Sequence, residues 1–185
     1  MLRWLNEAGA RAYAFFRRCT LPSQPVLDLL NAGGHEMGLH LENSRSQDTF
    51  LQEKQFMERH IGKPIVAMSK HGSGGAKYGL RHYAPYEPER YLEWARQSKM
   101  RLFLGNLEDP TLQPQGSDGL LFFPSAFWLE TPWRNTGRFP VEWLLEHGRE
   151  RDIVLLVHPE NVLADTALTA DFKKLIRAVE SRTFS

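Results

Sequence analysis

A chain of 185 residues, 42% hydrophobic and 24% charged, has the composition of an ordinary soluble globular protein and is long enough to bury a sizeable core as one domain, residues 1–185. Lysine plus arginine (23) nearly balances aspartate plus glutamate (22), so the charge offers no case for nucleic acid or a membrane as partner. The single cysteine excludes an intrachain disulfide framework, and no apolar stretch could cross a bilayer, so we expect a cytoplasmic protein.

The first part of the chain alternates between helical and strand-like segments. A helix is predicted over residues 2–9, where Gly9 is the stop, and the short aromatic run at 10–16 is typical of a buried strand. The predicted elements that follow are a helix between Ser23 and Gly34, the strand HEMGLHLE (35–42), a helix from 46 to 60, and the strand PIVAMSKHG (64–72).

The second part continues this alternation after a Gly- and Tyr-rich loop at 72–86. Its predicted elements are a helix at 87–99, strands at 100–106 and 119–130, a helix at 141–150, a strand at 152–160 and a helix at 169–182. Six strands alternating with helices predict an α/β protein with a parallel sheet covered by helices. In such folds the active site lies at the carboxyl ends of the strands.

Three of the predicted strands end in a histidine. His40 ends the second strand, and because side chains alternate along a strand it shares a face with Glu42 rather than with the apolar residues. His71 ends the third strand and His158 ends the last. A lone terminal histidine is more often a hydrogen-bonded core or rim residue, but three at one edge of a sheet favour a functional site.

Other histidines and tryptophans suggest less. His35 has the opposite parity to His40 and lies at the other end of the strand, so we interpret it as structural. His60 and His147 fall in the last turns of helices, where an imidazolium complements the helix dipole. Trp128 and Trp133 flank a loop at the expected active end, where stacking on a sugar and packing in a core or lid are both open.

Four segments, in chain order GARAYAFFRR, LLNAGGHEMGLHLEN, SKHGSG and IVLLVHPEN, resemble the polysaccharide deacetylase family of carbohydrate esterases. They are similar in particular to its bacterial branch with GHEIGLH-type and HG motifs, over roughly residues 5–160. The resemblance implies an irregular (β/α) barrel. It also implies a divalent metal, with zinc the first expectation, that binds a water and polarises an N-acetyl carbonyl. An aspartate then acts as base and a late histidine protonates the leaving amine.

The resemblance implies roles for individual residues. His40 matches the first histidine of the metal motif, and His158 matches the late catalytic histidine. His71 falls on the HG pair and is interpreted as the second metal ligand. We therefore expect the imidazole nitrogens of His40 and His71 within about 5 Å of each other, with His158 lining the same pocket. Three residues are candidates for substrate binding: Glu42, Ser73 and Trp133.

The sequence departs from the family pattern at two places. Ser44 stands four residues after His40, where better-known members have a second metal histidine. The chain also opens within the helix that should follow the first strand, so we expect the strand with the paired aspartates to be missing and the barrel to be open. The strands at 10–16 and 153–159 should then face a gap, and exposed edges of this kind can pair with another copy of the chain.

Three functions follow from these observations. The leading hypothesis is a metal-dependent deacetylase that removes N-acetyl groups from a surface glycan or its precursor, with its activity impaired by the missing aspartates. The alternative is an inactive relative that serves as a carbohydrate-binding or interaction module. The third is a structural domain whose histidines are packed polar residues.

Overall fold

The structure is a computed structural model that describes residues 1–70, 88–130 and 139–178, without the side chain of Asn106. The helices in these ranges are α1 (Leu2–Ala8), α2 (Gln24–Ala32), α3 (Gln47–Ile61), α4 (Pro88–Gln97), α5 (Val141–His147), α6 (Pro159–Ala164) and α7 (Thr166–Ala178). The strands are β1 (Tyr13–Phe16), β2 (Glu36–Leu41), β3 (Ala67–Lys70), β4 (Leu102–Leu107), β5 (Gln115–Ser117), β6 (Leu120–Ser125), β7 (Phe127–Trp128) and β8 (Leu155–Leu156). None of these helices is long and apolar enough to span a membrane.

Local sequence explains where the helices begin and end. Helix α3 begins at a capping box: the Ser46 hydroxyl accepts from the Thr49 backbone N–H at 3.2 Å, and the Thr49 hydroxyl accepts from the Ser46 N–H at 3.1 Å. It ends at Gly62, whose φ of 73° is the left-handed conformation that suits glycine. Helix α1 ends in the same way at Gly9. The predicted helices 2–9, 23–34 and 46–60 are therefore confirmed to within a few residues.

The main sheet has the strand order β1-β2-β3-β4-β6-β5, and every pair in it is parallel except the hairpin of β5 and β6. Only Ala126 separates β6 from β7, and there the chain changes partner. The Ala126 N–H donates to the Leu107 carbonyl oxygen at 2.9 Å, whereas the Phe127 N–H donates to the Val154 carbonyl oxygen at 2.8 Å. The predicted strand at 119–130 is thus two strands, the first paired with β4 and the second with β8.

Two features of the sheet bear on the predicted barrel. Val154, just before β8, packs in one apolar cluster with Tyr13 and Phe15 of β1, so the two ends of the strand series face a common interior. Yet β1 pairs only with β2, and β8 only with β7, among the strands of the described ranges. The fold is therefore a mixed α/β fold with a mainly parallel, curved sheet, and closure of the barrel is not shown.

The helices cover the outer face of this sheet. Helices α3 and α4 bury Phe50, Met57, Tyr91 and Trp94 against β2, β3, β4 and β6. Helices α1, α5, α6 and α7 form a second cluster around β7 and β8. His40 and Ser69 alternate with the apolar residues that these helices cover, so both lie on the inner face.

Gly105 marks a close backbone approach between β4 and β6. It lies in β4 where the register with β6 is irregular, and a Cβ there would come closer than 3.0 Å to the carbonyl carbon and oxygen of Pro124. We expect Gly105→Ala to lower the free energy of unfolding by about 1–3 kcal/mol, because backbone atoms cannot move aside as a side chain can. Gly116→Ala is the matched control, since nothing lies within 4 Å of its Cβ position. Urea unfolding tests this, and equal losses in both variants would contradict it.

Candidate active site at the carboxyl ends of the strands

His40 lies on the inner face near the end of β2, as the alternation predicted. Met37, Leu39 and Leu41 are buried on the outer face, whereas His40 is partly exposed. Its Nδ1 lies 2.7 Å from Oγ of Ser69, its partner across the β2–β3 ladder. A metal held by His40 has to be bound through Nε2, because Nδ1 is used in this hydrogen bond.

Glu42 follows His40 on the same side of the chain but contacts other groups. Its carboxylate lies 3.7 Å from Nη1 of Arg17 and 3.6 Å from Sγ of Cys19. These contacts are near the surface, where an ion pair is screened by water and contributes little to stability. The structure places Glu42 at the correct end of the sheet for the predicted substrate-binding role, which stays a prediction.

A buried carboxylate of α3 binds the backbone at the end of β2 from the outer face of the sheet. Oε2 of Glu53 accepts a hydrogen bond from the Glu42 N–H at 3.0 Å, and Oε1 accepts one from the Asn43 N–H at 2.8 Å. Glu53 is 6% exposed; burial raises the pKa of its carboxyl, and the two backbone hydrogen bonds act against this rise. Lys70, at the end of β3, is 3% exposed, and burial lowers its pKa to about 8 although the Glu53 charge opposes this.

His158 is held by a second buried carboxylate. Oε1 of Glu130 accepts a hydrogen bond from the backbone N–H of His158 and another, at 2.9 Å, from Nδ1 of its ring. The Glu130 side chain is 2% exposed and that of His158 is 40% exposed, so the imidazole reaches solvent while its partner does not. The hydrogen bond to Glu130 raises the pKa of His158 above its ordinary value, although burial opposes this, and the charges of Glu130 and Glu160 add to the rise.

Two further observations concern the surroundings of His158 and Glu130. The indole of Trp128 lies beside the His158 ring, with centroids 5.9 Å apart, and its Nε1 donates to the Leu107 carbonyl oxygen at 3.4 Å. Oε2 of Glu130 is buried and makes no hydrogen bond to any of the residues that the structure describes. Since Oε1 alone takes both bonds from His158, the carboxylate fixes the ring orientation and leaves Nε2 as the nitrogen that can exchange protons.

Sequence reasoning missed three residues of this region: Ser69, Glu53 and Glu130. Each carries a pattern that could have been used. Ser69 precedes His71 by two residues and so shares its face on a strand. Glu53 falls between Phe50 and Met57 on the apolar face of α3, where a carboxylate needs a partner. Glu130 shares its parity with Trp128 at the end of a predicted strand.

The predicted residues can be placed only in part. His40 lies near the carboxyl end of β2, on the inner face, and His158 follows the carboxyl end of β8 directly before α6. That His158 lines the same pocket as His40 stays a prediction. His71, Ser73 and Trp133 lie outside the described residues, so the predicted approach of His40 to His71 stays a prediction. In the part of the chain that the structure describes, no three or more His, Cys, Asp or Glu side chains converge as metal ligands do. Those residues alone therefore do not make up a metal site.

Comparisons with known proteins concern the fold. No protein-family model and no curated protein matches the chain. The structure is similar, with a TM-score of 0.52 and 12% sequence identity, to a crystal structure of a Mycobacterium smegmatis protein provisionally described as a polysaccharide deacetylase, over 100% of this chain and 78% of that chain. A polysaccharide deacetylase from Bacillus cereus superposes with a TM-score of 0.46 and 16% identity, over 98% of this chain and 84% of its own. The first of these likenesses shows a fold of the polysaccharide deacetylase type.

Proposed function

We propose that this chain is a hydrolase of the polysaccharide deacetylase type, which removes N-acetyl groups from a surface glycan or its precursor. The observation that carries the proposal is the pair of Glu130 and His158, a half-exposed imidazole oriented by a buried carboxylate at the carboxyl end of a strand. A pair of this kind is suited to proton transfer. The fold and the order of the sequence motifs support the choice of substrate class.

The chemistry assigned to His158 is protonation of the leaving amine. Hydrolysis of an N-acetyl group breaks a carbon–nitrogen bond, and the departing nitrogen has to gain a proton. The imidazolium of His158 donates that proton from Nε2, while its Nδ1–H stays bonded to Glu130. Because the Glu130 hydrogen bond raises the pKa of His158, the ring keeps its proton to a higher pH than an isolated histidine does.

A divalent metal, zinc in the first place, is part of the proposal, with His40 and His71 as its ligands. The contact between His40 Nδ1 and the Ser69 hydroxyl supports this, because a metal-bound histidine commonly gives its other N–H to an acceptor. The metal would polarise the acetyl carbonyl. Glu42, Ser73 and Trp133 complete the proposal as residues that contact the sugar.

The alternative is a carbohydrate-binding module without catalysis. One observation favours it: within the described ranges no cluster of acidic and histidine side chains surrounds His40. Such a chain would keep the sugar-binding face and lack a base for the attacking water.

One experiment separates these functions. The full chain is incubated with N-acetylglucosamine oligomers, with and without added zinc, and released acetate and bound oligomer are both measured. We expect acetate release that requires zinc. Binding without acetate release would support the module instead, and the absence of both binding and retained zinc would leave only the structural domain.

A further inference from the structure

His35 joins three elements at the end of the sheet away from His40 and His158. It directly precedes β2 and is 2% exposed. Its Nδ1 accepts a hydrogen bond from the backbone N–H of Ala12 at 3.2 Å, and its Nε2 lies 2.6 Å from Oδ1 of Asn6 on α1. Because Ala12 directly precedes β1, one imidazole ties α1 to the starts of two neighbouring strands.

The groups around His35 determine where its proton lies. The N–H of Ala12 can only donate, so Nδ1 must offer a lone pair. The side-chain nitrogen of Asn6 donates to the Leu29 carbonyl oxygen at 3.2 Å, so the Asn6 oxygen faces the ring and Nε2 must carry the proton. The fold therefore requires the neutral imidazole with its proton on Nε2.

The hydrogen-bond partners of the other histidines in the described ranges are compatible with a protonated ring. His60 and His147 donate to backbone carbonyl oxygens, and His158 donates to a carboxylate. His40 faces a hydroxyl, which can either donate or accept. At His35, a second ring proton would point at the Ala12 N–H, and two donors cannot form a hydrogen bond.

We propose that His35 is an acid-sensitive latch, which holds α1 against the starts of β1 and β2 while neutral and releases them when it is protonated. Gly33 packs directly against the hydrogen bond between His35 and Asn6, since a Cβ at Gly33 would come nearer than 3.0 Å to both Asn6 Oδ1 and His35 Nε2. Strand β1 pairs only with β2 among the strands of the described ranges, so it depends on this anchor. Release would also loosen one wall of the inner face, because Phe15 of β1 lies over Gly38, two residues before His40.

The pH range of the latch follows from burial, which lowers the pKa of His35 from 6.5. When the contacts of His35 are broken, its ring takes up a proton below pH 6.5; when they are formed, the lowered pKa keeps the ring neutral to a lower pH. The contacts therefore have their full stability above pH 6.5 and lose it as the pH falls. No charged side chain among the described residues contributes to this pKa shift. The charged groups on the surrounding elements are Arg3 and Glu7 of α1, Arg11, Asp28 of α2 and Glu36 of β2.

Amide hydrogen exchange of Ala12 tests the latch. We expect its protection factor, corrected for the intrinsic exchange rate, to fall by up to about tenfold per pH unit below roughly pH 6.5. In His35→Gln the side chain can still accept from Ala12 and donate to Asn6, but it cannot be protonated, so this fall should disappear. His147→Gln is the matched control and should keep the wild-type pH dependence.

A second measurement on the unmodified chain is independent of these variants. Nitrogen NMR at about pH 7.5, above the ordinary histidine pKa, should show the His35 proton on Nε2. A proton on Nδ1, or an equal fall of Ala12 protection in His35→Gln, would overturn the proposal. If His35→Gln does not fold, a constant Ala12 protection factor in the unmodified chain across this pH range would overturn it as well. None of these outcomes depends on the proposed hydrolase activity.

Discussion

His158→Ala is expected to lower the rate of acetate release from N-acetylglucosamine oligomers by about 10²–10⁴-fold, the usual contribution of a positioned acid or base. The reason is geometric: the ring reaches solvent while Glu130 fixes its Nδ1, so Nε2 is the group placed to protonate the leaving amine. Steady-state kinetics of acetate release measures the effect, which should fall on kcat rather than on KM. Zinc content should not change, since His158 is assigned no role as a ligand.

Glu130→Gln gives a second test of the same pair. An amide keeps the shape of the side chain and can still accept from Nδ1, but it lacks the charge that favours the imidazolium. The pKa of His158 should therefore fall, which NMR titration of the ring measures directly. Because the reaction needs the protonated ring, the alkaline limb of the pH–rate profile should move to lower pH as well. Loss of zinc in parallel with activity in His158→Ala would instead make His158 a ligand, and the assigned role would be wrong.

Most of the fold could be predicted because local patterns determine it. The helices begin at residues such as Ser46 and end at glycines such as Gly62, and the strands have the apolar runs that a covered parallel sheet requires. The hairpin strand β5 was missed because the sequence QGS has no apolar side chain and all three residues are exposed. The break at Ala126 was missed because a single residue separates the two strands; what changes there is the partner strand, from β4 to β8.

The site was harder to predict because its contacts are distant in sequence. Alternation along β2 placed His40 on the inner face, but its neighbour Ser69 is 29 residues away. Glu130 is 28 residues from His158, and its parity with Trp128 is the one local sign that distinguishes it from an acidic residue that begins a loop. Pairing between strands brings these residues together, so only the register of the sheet identifies them.

Glu53 connects helix α3, on the outer face of the sheet, to the backbone beside the candidate site. Its carboxylate reaches from α3 to two successive backbone amides just beyond His40, and its charge acts on buried Lys70, which directly precedes His71. Neither side chain is open to water, so no solvent molecule readily replaces a lost partner. A change at Glu53 therefore affects the ends of β2 and β3 together.

We expect Glu53→Ala to lower the free energy of unfolding by about 3–5 kcal/mol, because it removes the carboxylate that accepts from two successive backbone N–H groups, and a hydrogen bond to a charged group contributes roughly 1.5–3 kcal/mol. Urea unfolding near neutral pH measures this loss. Gln52→Ala is the matched control, since Gln52 is the exposed neighbour of Glu53 in α3, and its loss should stay within about 0.5 kcal/mol. Glu53→Gln should fall between the two, because its oxygen can accept one N–H while its NH₂ group opposes the other. A loss in Glu53→Ala no larger than that in Gln52→Ala would mean that water or another acceptor replaces the carboxylate at the end of β2.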